Sequence, residues 1–283
     1  MILVTGAAGK TGLAVIAALS QKGETVRALV RRPAQEAFVR EADSVEVVVG
    51  DMSHTEVWPP AMDGIRAVYH IAPNMHPEEV LMGRNALRGA QNAGVVHFAF
   101  HSVLHPQTAT MPHHWNKLRV EEMIFESGLP FTILQPAAYM QNILGGWRLI
   151  REDGVYRVPY PVSTRLSLVH LGDVAQVAVR VLTEPGHTGA TYELVGTQPL
   201  SQTEVAEALS QMLSRPVKAR EITLAEWREQ AEQDGTPEYA VEALLKMFRY
   251  YAAYGFVGSP GVLGWLLGRA PRTLREVVEE WPL

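Results

Sequence analysis

A glycine-rich loop near the start of the chain is the feature with the clearest chemistry. Residues 4–12 read Val-Thr-Gly-Ala-Ala-Gly-Lys-Thr-Gly and lie between a short apolar run and a segment of helical spacing. Gly6 permits a tight exit from a strand, Gly9 lets the backbone approach a pyrophosphate, and Gly12 lets the helix pack closely on the sheet. The spacing is G-x-x-G-x-x-G, and a turn that binds nothing is the alternative. We predict a dinucleotide phosphate site formed by Gly6, Ala8, Gly9, Lys10, Thr11 and Gly12.

The end of the second predicted strand indicates which dinucleotide binds. An Asp or Glu about 20 residues beyond the glycines is typical of NAD-binding proteins, whereas an arginine nearby accommodates the 2′-phosphate of NADP. Here Val30 is followed by Arg31 and Arg32, with no acidic residue there. A guanidinium binds phosphate through two hydrogen bonds, so NADP(H) is favoured over NAD(H), with a solvated pair of surface arginines as the alternative. Asp51 and Met52, after the third strand, are expected at the adenine, unless Asp51 only turns the chain.

The first half of the chain alternates short apolar runs with longer segments of helical spacing, which is typical of a parallel sheet covered on both faces. The apolar runs predict strands at Met1–Thr5, Thr25–Val30, Val45–Val49, Ala67–Ile71, Val95–Phe100 and Phe131–Leu134. The helical spacing predicts helices at Leu13–Gln21, Glu79–Gln91 and Lys117–Glu126, with Gly23, Gly94 and Gly128 as C-caps. This alternation predicts an α/β fold with a doubly wound parallel sheet.

The pattern changes after Pro136, where glycine and aromatic residues predict a loop-rich segment that continues to Tyr160. A strand and a helix follow from Leu166 to Leu182, Thr191–Val195 is a candidate strand, and the chain beyond Ser201 is mostly helical. A hydroxyl residue followed three positions later by a glutamate predicts a capping box at a helix start. Such pairs are Ser53/Glu56, Ser201/Glu204, Thr223/Glu226 and Thr273/Glu276.

The change of pattern predicts two regions with different tasks. We expect residues 1–137 and 164–197 to form the nucleotide-binding domain, and residues 138–163 and 198–283 to form a smaller, mostly helical region that binds the substrate. Aromatic side chains of this region would either form its core or wall an apolar pocket above the nicotinamide, which suits an aromatic or quinone-like substrate. These residues are Trp147, Tyr156, Tyr160, Phe248, Tyr250, Tyr251, Tyr254, Phe256 and Trp265.

The composition excludes several classes of protein. The 283 residues include no cysteine, which removes disulfide scaffolds, iron–sulfur clusters and thiolate nucleophiles. With 25 Lys and Arg against 30 Asp and Glu, the net charge of −5 argues against binding to nucleic acid or to an anionic membrane. We find no charged leader and no apolar run long enough to cross a bilayer, so a cytoplasmic protein is expected.

A resemblance runs through residues 4–12, 26–33, 50–51, 117–142, 169–178 and 268–274. In these segments the chain is similar to the NmrA-like group of atypical short-chain dehydrogenases/reductases. The resemblance implies a Rossmann domain that binds NAD(P) and a small C-terminal substrate region. The group contains NADPH-dependent reductases, similar to quinone oxidoreductases and triphenylmethane reductases, and also regulators that bind the dinucleotide without turning anything over.

The resemblance also implies where catalytic residues lie. Short-chain reductases pair a tyrosine with a lysine four residues later; the lysine binds the nicotinamide ribose, and the tyrosine donates a proton while hydride arrives from the cofactor. Lys117 occupies the lysine position, but His113 replaces the tyrosine, and an imidazole with an unshifted pKa is able to act as an acid near pH 7. Ser102 is expected to hold a substrate carbonyl, and Tyr139, in the loop after the sixth strand, is a second candidate for the proton donor. Gln135 stands where relatives have arginine.

The histidines of this region allow other interpretations. Five of the ten lie between His97 and His114, so a metal site has to be weighed. His97 and His101 share a strand face, but no Asp, Glu or Cys lies between them to complete a typical ligand set, and we expect no metal. The alternative for the catalytic candidates is solvation: Lys117 would be an exposed helix lysine, and His113 and His114 a solvated helix entry.

The sequence therefore predicts an NADP(H)-dependent oxidoreductase that reduces a small apolar carbonyl, quinone or conjugated compound. A non-catalytic sensor of the dinucleotide is the competing prediction, since tyrosine is missing at position 113. An epimerase or dehydratase of a nucleotide sugar is a third and less favoured function. We expect no nucleic-acid or membrane partner, and the oligomeric state is left open between a monomer and a homodimer.

Overall fold

The computed structural model describes residues 1–40, 45–279 and 281. Its strands are, in chain order, β1 Ile2–Val4, β2 Val26–Val30, β3 Val45–Val49, β4 Ala67–His70, β5 His97–His101, β6 Phe131–Pro136, β7 Ala138–Tyr139, β8 Val155–Val158, β9 Arg165–Leu166, β10 Leu168–Val169, β11 Ala190–Leu194, β12 Leu200–Ser201 and β13 Lys218–Glu221. Its α-helices are α1 Lys10–Gln21, α2 Glu36–Val39, α3 Trp58–Met62, α4 Glu79–Ala93, α5 Pro112–Glu126, α6 Trp147–Asp153, α7 Leu171–Thr183, α8 Gln202–Leu213, α9 Leu224–Gln233, α10 Glu238–Tyr254, α11 Gly261–Leu267 and α12 Leu274–Glu279.

Seven strands form the central sheet in the order β11-β6-β5-β4-β1-β2-β3. The six strands from β6 to β3 pair in parallel, and Val4 lies between Ala28 of β2 and Tyr69 of β4. The order of the strands reverses between β1 and β4, and a doubly wound sheet binds its ligands outside the carboxyl ends of the strands at such a point. The predicted α/β fold with a doubly wound parallel sheet is confirmed.

The predicted elements of the first half are present, with shifted ends. β3 has the predicted bounds, and Gly94 ends α4 with a φ of +63°, as expected of a glycine C-cap. α5 begins at Pro112, five residues earlier than predicted, because a proline lacks the N–H that is unpaired in the first turn of a helix. The earlier start puts His113 in the first turn of the helix.

Two local predictions are wrong. The stretch between Pro136 and Tyr160 contains a 3-10 segment, helix α6 and strand β8, because α6 buries Trp147 and Ile150 and ends at Gly154 with a φ of +67°. Ser53 does not cap a helix, since its N–H and its hydroxyl both donate to Asp51. The other three capping boxes are confirmed, each with a hydroxyl that accepts from the glutamate N–H and a glutamate that accepts in return.

The chain divides into two compact units. The first contains residues 1–107, 113–135 and 174–192, and the second contains residues 108–112, 136–173 and 193–283. Residues 164–173, which the sequence pattern assigned to the nucleotide-binding domain, therefore belong to the second unit. A large apolar core covers the sheet of the first unit, with Leu3, Val68 and Phe98 fully buried. None of the helices in the described part of the chain is long and apolar enough to cross a membrane.

Candidate functional site

The glycine-rich loop has a geometry that only glycine fits at two positions. Gly6 has a φ of +58°, and a Cβ there would lie 2.7 Å from the carbonyl oxygen of Ile71 at the end of β4. A Cβ on Gly12 would lie 2.5 Å from the oxygen of Gly6 and 2.6 Å from the backbone of Ala7. A Cβ on Gly9 would lie 3.2 Å from the oxygen of Gly6. Because Gly9 has no side chain, a ligand is able to approach the loop backbone closely at this residue. The three glycines bring the loop, α1 and the end of β4 into close contact.

The N-terminus of α1 is suited to an anion. Gly9 is its N-cap residue, no side chain caps the helix, and the first turn contains no acidic residue. The first N–H groups of a helix lack partners within the helix, and the helix dipole adds partial positive charge at this end. A pyrophosphate over the glycines would accept from these groups, so the loop fits the phosphate part of a dinucleotide.

The end of β2 carries the arginines that were expected to select NADP(H). The side chain of Arg31 is 65% exposed, but its Nε lies 3.1 Å from Oδ2 of Asp51. No acidic residue follows β2 in the sequence, but parallel pairing of β2 with β3 brings Asp51, which follows β3, beside Arg31. The N–H and hydroxyl of Ser53, and then the charge of Arg31, lower the pKa of Asp51. Met52 is largely covered, since it belongs to the core.

Lys117 is buried next to the carboxyl end of β5. Its Nζ lies 2.7 Å from Oε1 of Glu79, 3.3 Å from the carbonyl oxygen of His101 and 5.6 Å from the centre of the Phe100 ring. The interpretation of Lys117 as an exposed helix lysine is therefore wrong. Burial raises the pKa of Glu79, and the adjacent ammonium opposes this shift.

His70 connects the glycine loop with the surroundings of Lys117. Its Nδ1 lies 3.0 Å from the hydroxyl of Thr5, and that hydroxyl donates to the oxygen of Ile71 and accepts from its N–H. Burial, and then the charge of Lys117, lower the pKa of His70 to about 3. The carboxyl ends of β1, β4 and β5 thus bring Gly6, His70 and Lys117 to the same edge of the sheet.

His113 and His114 are both buried, so the prediction of a solvated helix entry is wrong. Burial is the main reason that the pKa of His113 falls to about 3 and that of His114 to about 4. His114 donates from Nδ1 to the oxygen of His105 at 3.1 Å, whereas Nδ1 of His113 is buried without a hydrogen-bond partner. The pKa of His113 is therefore not the ordinary imidazole value at which a histidine acts as an acid near pH 7. Its ring is neutral at pH 7, and a protonated His113 is not the acid of a reaction at that pH.

Ser102 belongs to a second buried network. Its hydroxyl donates to Oε1 of Glu121, and Nε2 of Gln135 donates to both oxygens of the same carboxyl, at 2.9 and 3.1 Å. Burial raises the pKa of Glu121, against the effect of these hydrogen bonds. Gln135, in the place where relatives have arginine, thus supplies an amide instead of a cation. While the Ser102 hydroxyl donates to Glu121, it cannot donate to a second acceptor.

The histidines of β5 make other contacts. Nε2 of His97 lies 3.0 Å from the hydroxyl of Thr132, and Nδ1 of His101 lies 2.7 Å from the hydroxyl of Tyr69. Across residues 1–40, 45–279 and 281, no three His, Asp or Glu side chains are grouped so that they could hold a metal ion.

The aromatic residues of the second unit mostly pack against each other. Phe248 lies 4.8 Å from Trp227 between ring centres, and Tyr251 stacks on Phe256 at 5.0 Å. Tyr254 and Trp265, by contrast, are exposed. Tyr139 is half-buried in β7, where it pairs with Val169 of β10. The packed rings form part of the core, and the pocket above the nicotinamide stays a prediction.

Three residues of the site were missed by the sequence reasoning: Glu79, Glu121 and His70, the last of which lay within a predicted strand. Glu79 is the first residue of α4, and an acidic residue at a helix start is ordinarily explained by the helix dipole. Glu121 lies four residues after Lys117 on α5, which is the spacing of a surface ion pair. The signal that could have found both glutamates is their position on the helix faces that α4 and α5 turn towards the sheet.

Comparison with known proteins gives a consistent group of relatives. The sequence model of the NmrA-like family matches residues 1–281. The chain is 32% identical to the NAD(P)H azoreductase of Xenophilus azovorans over 278 aligned residues, and this alignment covers 98% of this chain and 96% of the azoreductase. Over 280 residues it is 26% identical to Quinone oxidoreductase 2 of Escherichia coli, with 98% and 97% covered. The structure of the Citrobacter sp. triphenylmethane reductase with NADP(H) is similar, with a TM-score of 0.86, 26% identity, and 99% and 100% of the two chains covered.

Proposed function

Because this chain belongs to the NmrA-like family, we propose that it is a nicotinamide-dependent reductase of quinones and of azo or triphenylmethane dyes. These substrates are small, largely apolar and conjugated, and relatives at 26–32% identity are named for reactions of this kind. The observation that carries the proposal is the meeting of Gly6, His70 and Lys117 at the carboxyl ends of β1, β4 and β5. When it is bound, the dinucleotide supplies a hydride.

In this proposal the glycine loop and Lys117 hold opposite ends of the cofactor. The N–H groups of Ala8, Lys10 and Gly12 bind the pyrophosphate, with the side chains of Lys10 and Thr11 at its rim. The N–H of Gly9 donates to the oxygen of Gly6 and shapes the loop. Lys117 donates from Nζ to the nicotinamide ribose. Ser102 orients a substrate oxygen or nitrogen, and Tyr139 is the proton donor that we prefer, because a protonated His113 is not available near neutral pH.

NADP(H) is the preferred cofactor in this proposal. The guanidinium groups of Arg31 and Arg32 follow β2, and the pairing of Arg31 with Asp51 holds one of them at the strand end. Asp51 and Met52 then lie at the adenine. Charge-assisted hydrogen bonds contribute about 1.5–3 kcal/mol each, so Arg31→Ala should weaken NADPH binding by about 10- to 100-fold and NADH binding by less than about threefold.

Titration of both cofactors by quenching of tryptophan fluorescence tests this preference, since the chain has six tryptophans. Arg40→Ala is the matched control, because the Arg40 guanidinium pairs with Glu36 on the same helical turn. An equal loss of affinity for NADPH and NADH in Arg31→Ala would contradict the assignment of the 2′-phosphate site.

The reductase activity is tested by mixing the protein with NADPH and with quinones, azo dyes and triphenylmethane dyes. We expect NADPH oxidation that depends on one of these substrates and that Lys117→Met reduces by at least about tenfold, because the ribose loses a charged donor. Lys22→Met is the control, since Lys22 is exposed at the end of α1. Wild-type activity in Lys117→Met would remove Lys117 from the site.

A dinucleotide sensor is the second candidate function. It is favoured by one observation, which is the buried neutral His113 in the place of a catalytic tyrosine. A sensor would bind NADPH or NADH tightly and leave all three classes of substrate unreduced. The same substrate screen therefore separates the two functions.

A further inference from the structure

The ion pair of Lys117 and Glu79 is buried within the first unit. The side chains are 9% and 1% exposed, and Nζ lies 2.7 Å from Oε1. The transfer of two charges from water into a protein costs free energy that their attraction only just returns, and an apolar pair of the same size is often at least as stable. Stability alone therefore gives little reason for this pair.

The side chain of Glu79 has one hydrogen-bond partner in the described part of the chain. Its side chain bonds to Lys117, and its other oxygen, Oε2, is buried without a hydrogen-bond partner. An unsatisfied buried oxygen is destabilising, so the carboxyl is not held there by a network of its own. Among the described residues, the one hydrogen bond that the Glu79 side chain makes is with Lys117.

We propose that Glu79 is a positioning residue for Lys117: it keeps the ammonium charged in a buried place and directs Nζ towards the carboxyl end of β5. The inference rests on the proposed function, in which Lys117 binds the ribose of the cofactor. Without Glu79, Nζ would keep one acceptor among the described residues, the carbonyl oxygen of His101 at 3.3 Å, which carries no charge.

The other titratable groups around Lys117 do not replace Glu79. His70 of β4 and His101 of β5 have a pKa lowered to about 3, first by burial and then by Lys117, and His113 and His114 of α5 are also neutral at pH 7. Glu121 is hydrogen-bonded to Ser102 and Gln135. His76 lies near Glu79 and, like Lys117, opposes the rise that burial causes in the pKa of Glu79. Burial without a countercharge favours the neutral form of an amine, so removal of Glu79 should make the charge of Lys117 depend on pH.

The first test compares Kd for NADPH in wild type and Glu79→Gln at two pH values. At about pH 9 we expect the variant to bind at least about tenfold more weakly, and at about pH 6.5 less than about threefold, because the amine is still protonated at the lower pH. Glu78→Gln is the control, since Glu78 is exposed and adjacent in sequence. Wild-type affinity at both pH values, or an equal loss at both, would overturn the proposal.

The second test asks whether Glu79 acts through Lys117. Lys117→Met and the double variant Glu79→Gln/Lys117→Met should bind NADPH with the same Kd within about twofold, because the partner through which Glu79 acts is already gone. A further loss in the double variant, equal to the loss in Glu79→Gln alone, would mean that Glu79 acts independently of Lys117.

A third measurement does not depend on the cofactor. The chain has five lysines, so labelling with ¹³Cε-lysine gives five signals, and Lys117→Met identifies the one from residue 117. In Glu79→Gln this signal should shift to that of a neutral amine at a lower pH than in wild type. An unchanged titration would overturn the inference. If the wild type did not bind NADPH, the proposed function would be overturned. The lysine titration would still show whether Glu79 keeps Lys117 charged, because it needs no cofactor.

Glu79→Asp serves if Glu79→Gln does not fold. Aspartate keeps the negative charge but is shorter by one methylene. The amine of Lys117 therefore stays protonated, but Nζ no longer has a carboxylate at the position that directs it towards β5. We expect Kd to rise by the same factor at both pH values, about threefold or more. Wild-type affinity in this variant would overturn the positioning role.

Discussion

Gly12 lies so close to the loop backbone that a single methyl group has no room. Its Cβ would lie 2.5 Å from the oxygen of Gly6 and 2.6 Å from that of Ala7, and both are main-chain atoms that cannot turn away. We expect Gly12→Ala to lower the free energy of unfolding by about 1–3 kcal/mol and to weaken NADPH binding, since the loop has to open. Urea denaturation measures the first effect. Gly145→Ala is the control, because no atom lies within 4 Å of its Cβ, and equal stability of the two variants would contradict the close packing.

The buried histidines make stability depend on pH. The pKa of His113 is about 3 in the folded protein against 6.5 for an ordinary histidine, so between these values the unfolded chain binds a proton that the folded chain does not. Stability is then lost as the pH falls from about 6.5 towards 3, by roughly 1.4 kcal/mol per pH unit for one such histidine. His113→Met should lose about 2 kcal/mol less than wild type between about pH 6.5 and 5 in urea denaturation.

The matched control for this change is His54→Met, because His54 is largely exposed. Its stability should follow that of the wild type throughout the pH range. If His113→Met also has the pH dependence of the wild type, His113 is protonated in the folded protein and returns as a candidate acid.

At this scale the sequence predicts residues whose role depends on their chain neighbours, and misses those whose role depends on a distant partner. The glycine triplet was predictable because a strand, a turn and a helix follow each other within twelve residues. The pairing of Arg31 with Asp51 spans 20 positions, and that of Lys117 with Glu79 spans 38. Both depend on which strands and helices are neighbours, and apolar spacing does not specify that.

Helices α4 and α5 set the distance between Glu79 and Lys117. The two helices touch at Gly83 and Val120, where a Cβ on Gly83 would lie 2.8 Å from both methyl groups of the valine. Gly83→Ala should lower the free energy of unfolding by about 1–3 kcal/mol, because a well-packed contact has no space for the added carbon.

The double variant Gly83→Ala/Val120→Ala tests the contact, since removal of the valine methyl groups makes room. We expect Gly83→Ala to cost less in the Val120→Ala background than alone, by at least about 0.5 kcal/mol in thermal or urea denaturation. Additive effects would mean that the helices separate freely at this point.

Elements with regular apolar spacing were predicted within a few residues, while the connecting segments were not. β3 and α4 start where the pattern starts, and α4 buries the face that carries Met82, Ala86 and Ala90. The segment after Pro136 was predicted as loop-rich because of its glycines, yet Gly154 ends a helix instead of preventing one. The Ser53/Glu56 pair has the spacing of a capping box, but Asp51 binds the serine first. Local competition of this kind is not visible in the spacing alone.

On the scale of the whole molecule, the fold class was predictable from the sequence. The fold class does not determine what each unit binds. The parallel, doubly wound sheet follows from the alternation of strands and helices in the first unit. The order of its strands, with the reversal between β1 and β4, does not follow from that alternation and is known from the structure. The second unit joins segments that are far apart in the sequence, and residues 164–173 belong to it although their pattern resembles the preceding strands and helices. Folds of this type support both catalysis and binding, so the function has to be argued from the site.

Direct transfer of hydride to a dye tests the central claim most directly. The protein is mixed with a triphenylmethane dye and with NADPH that carries deuterium at both C4 positions of the nicotinamide, and the reduced dye is analysed by mass spectrometry. A reductase places deuterium on the central carbon of the dye, where it does not exchange with water, and Lys117→Met slows this transfer by at least about tenfold. Tight binding of NADPH with no deuterium in the dye, and no reduction of quinones or azo dyes, would contradict a reductase and favour a sensor.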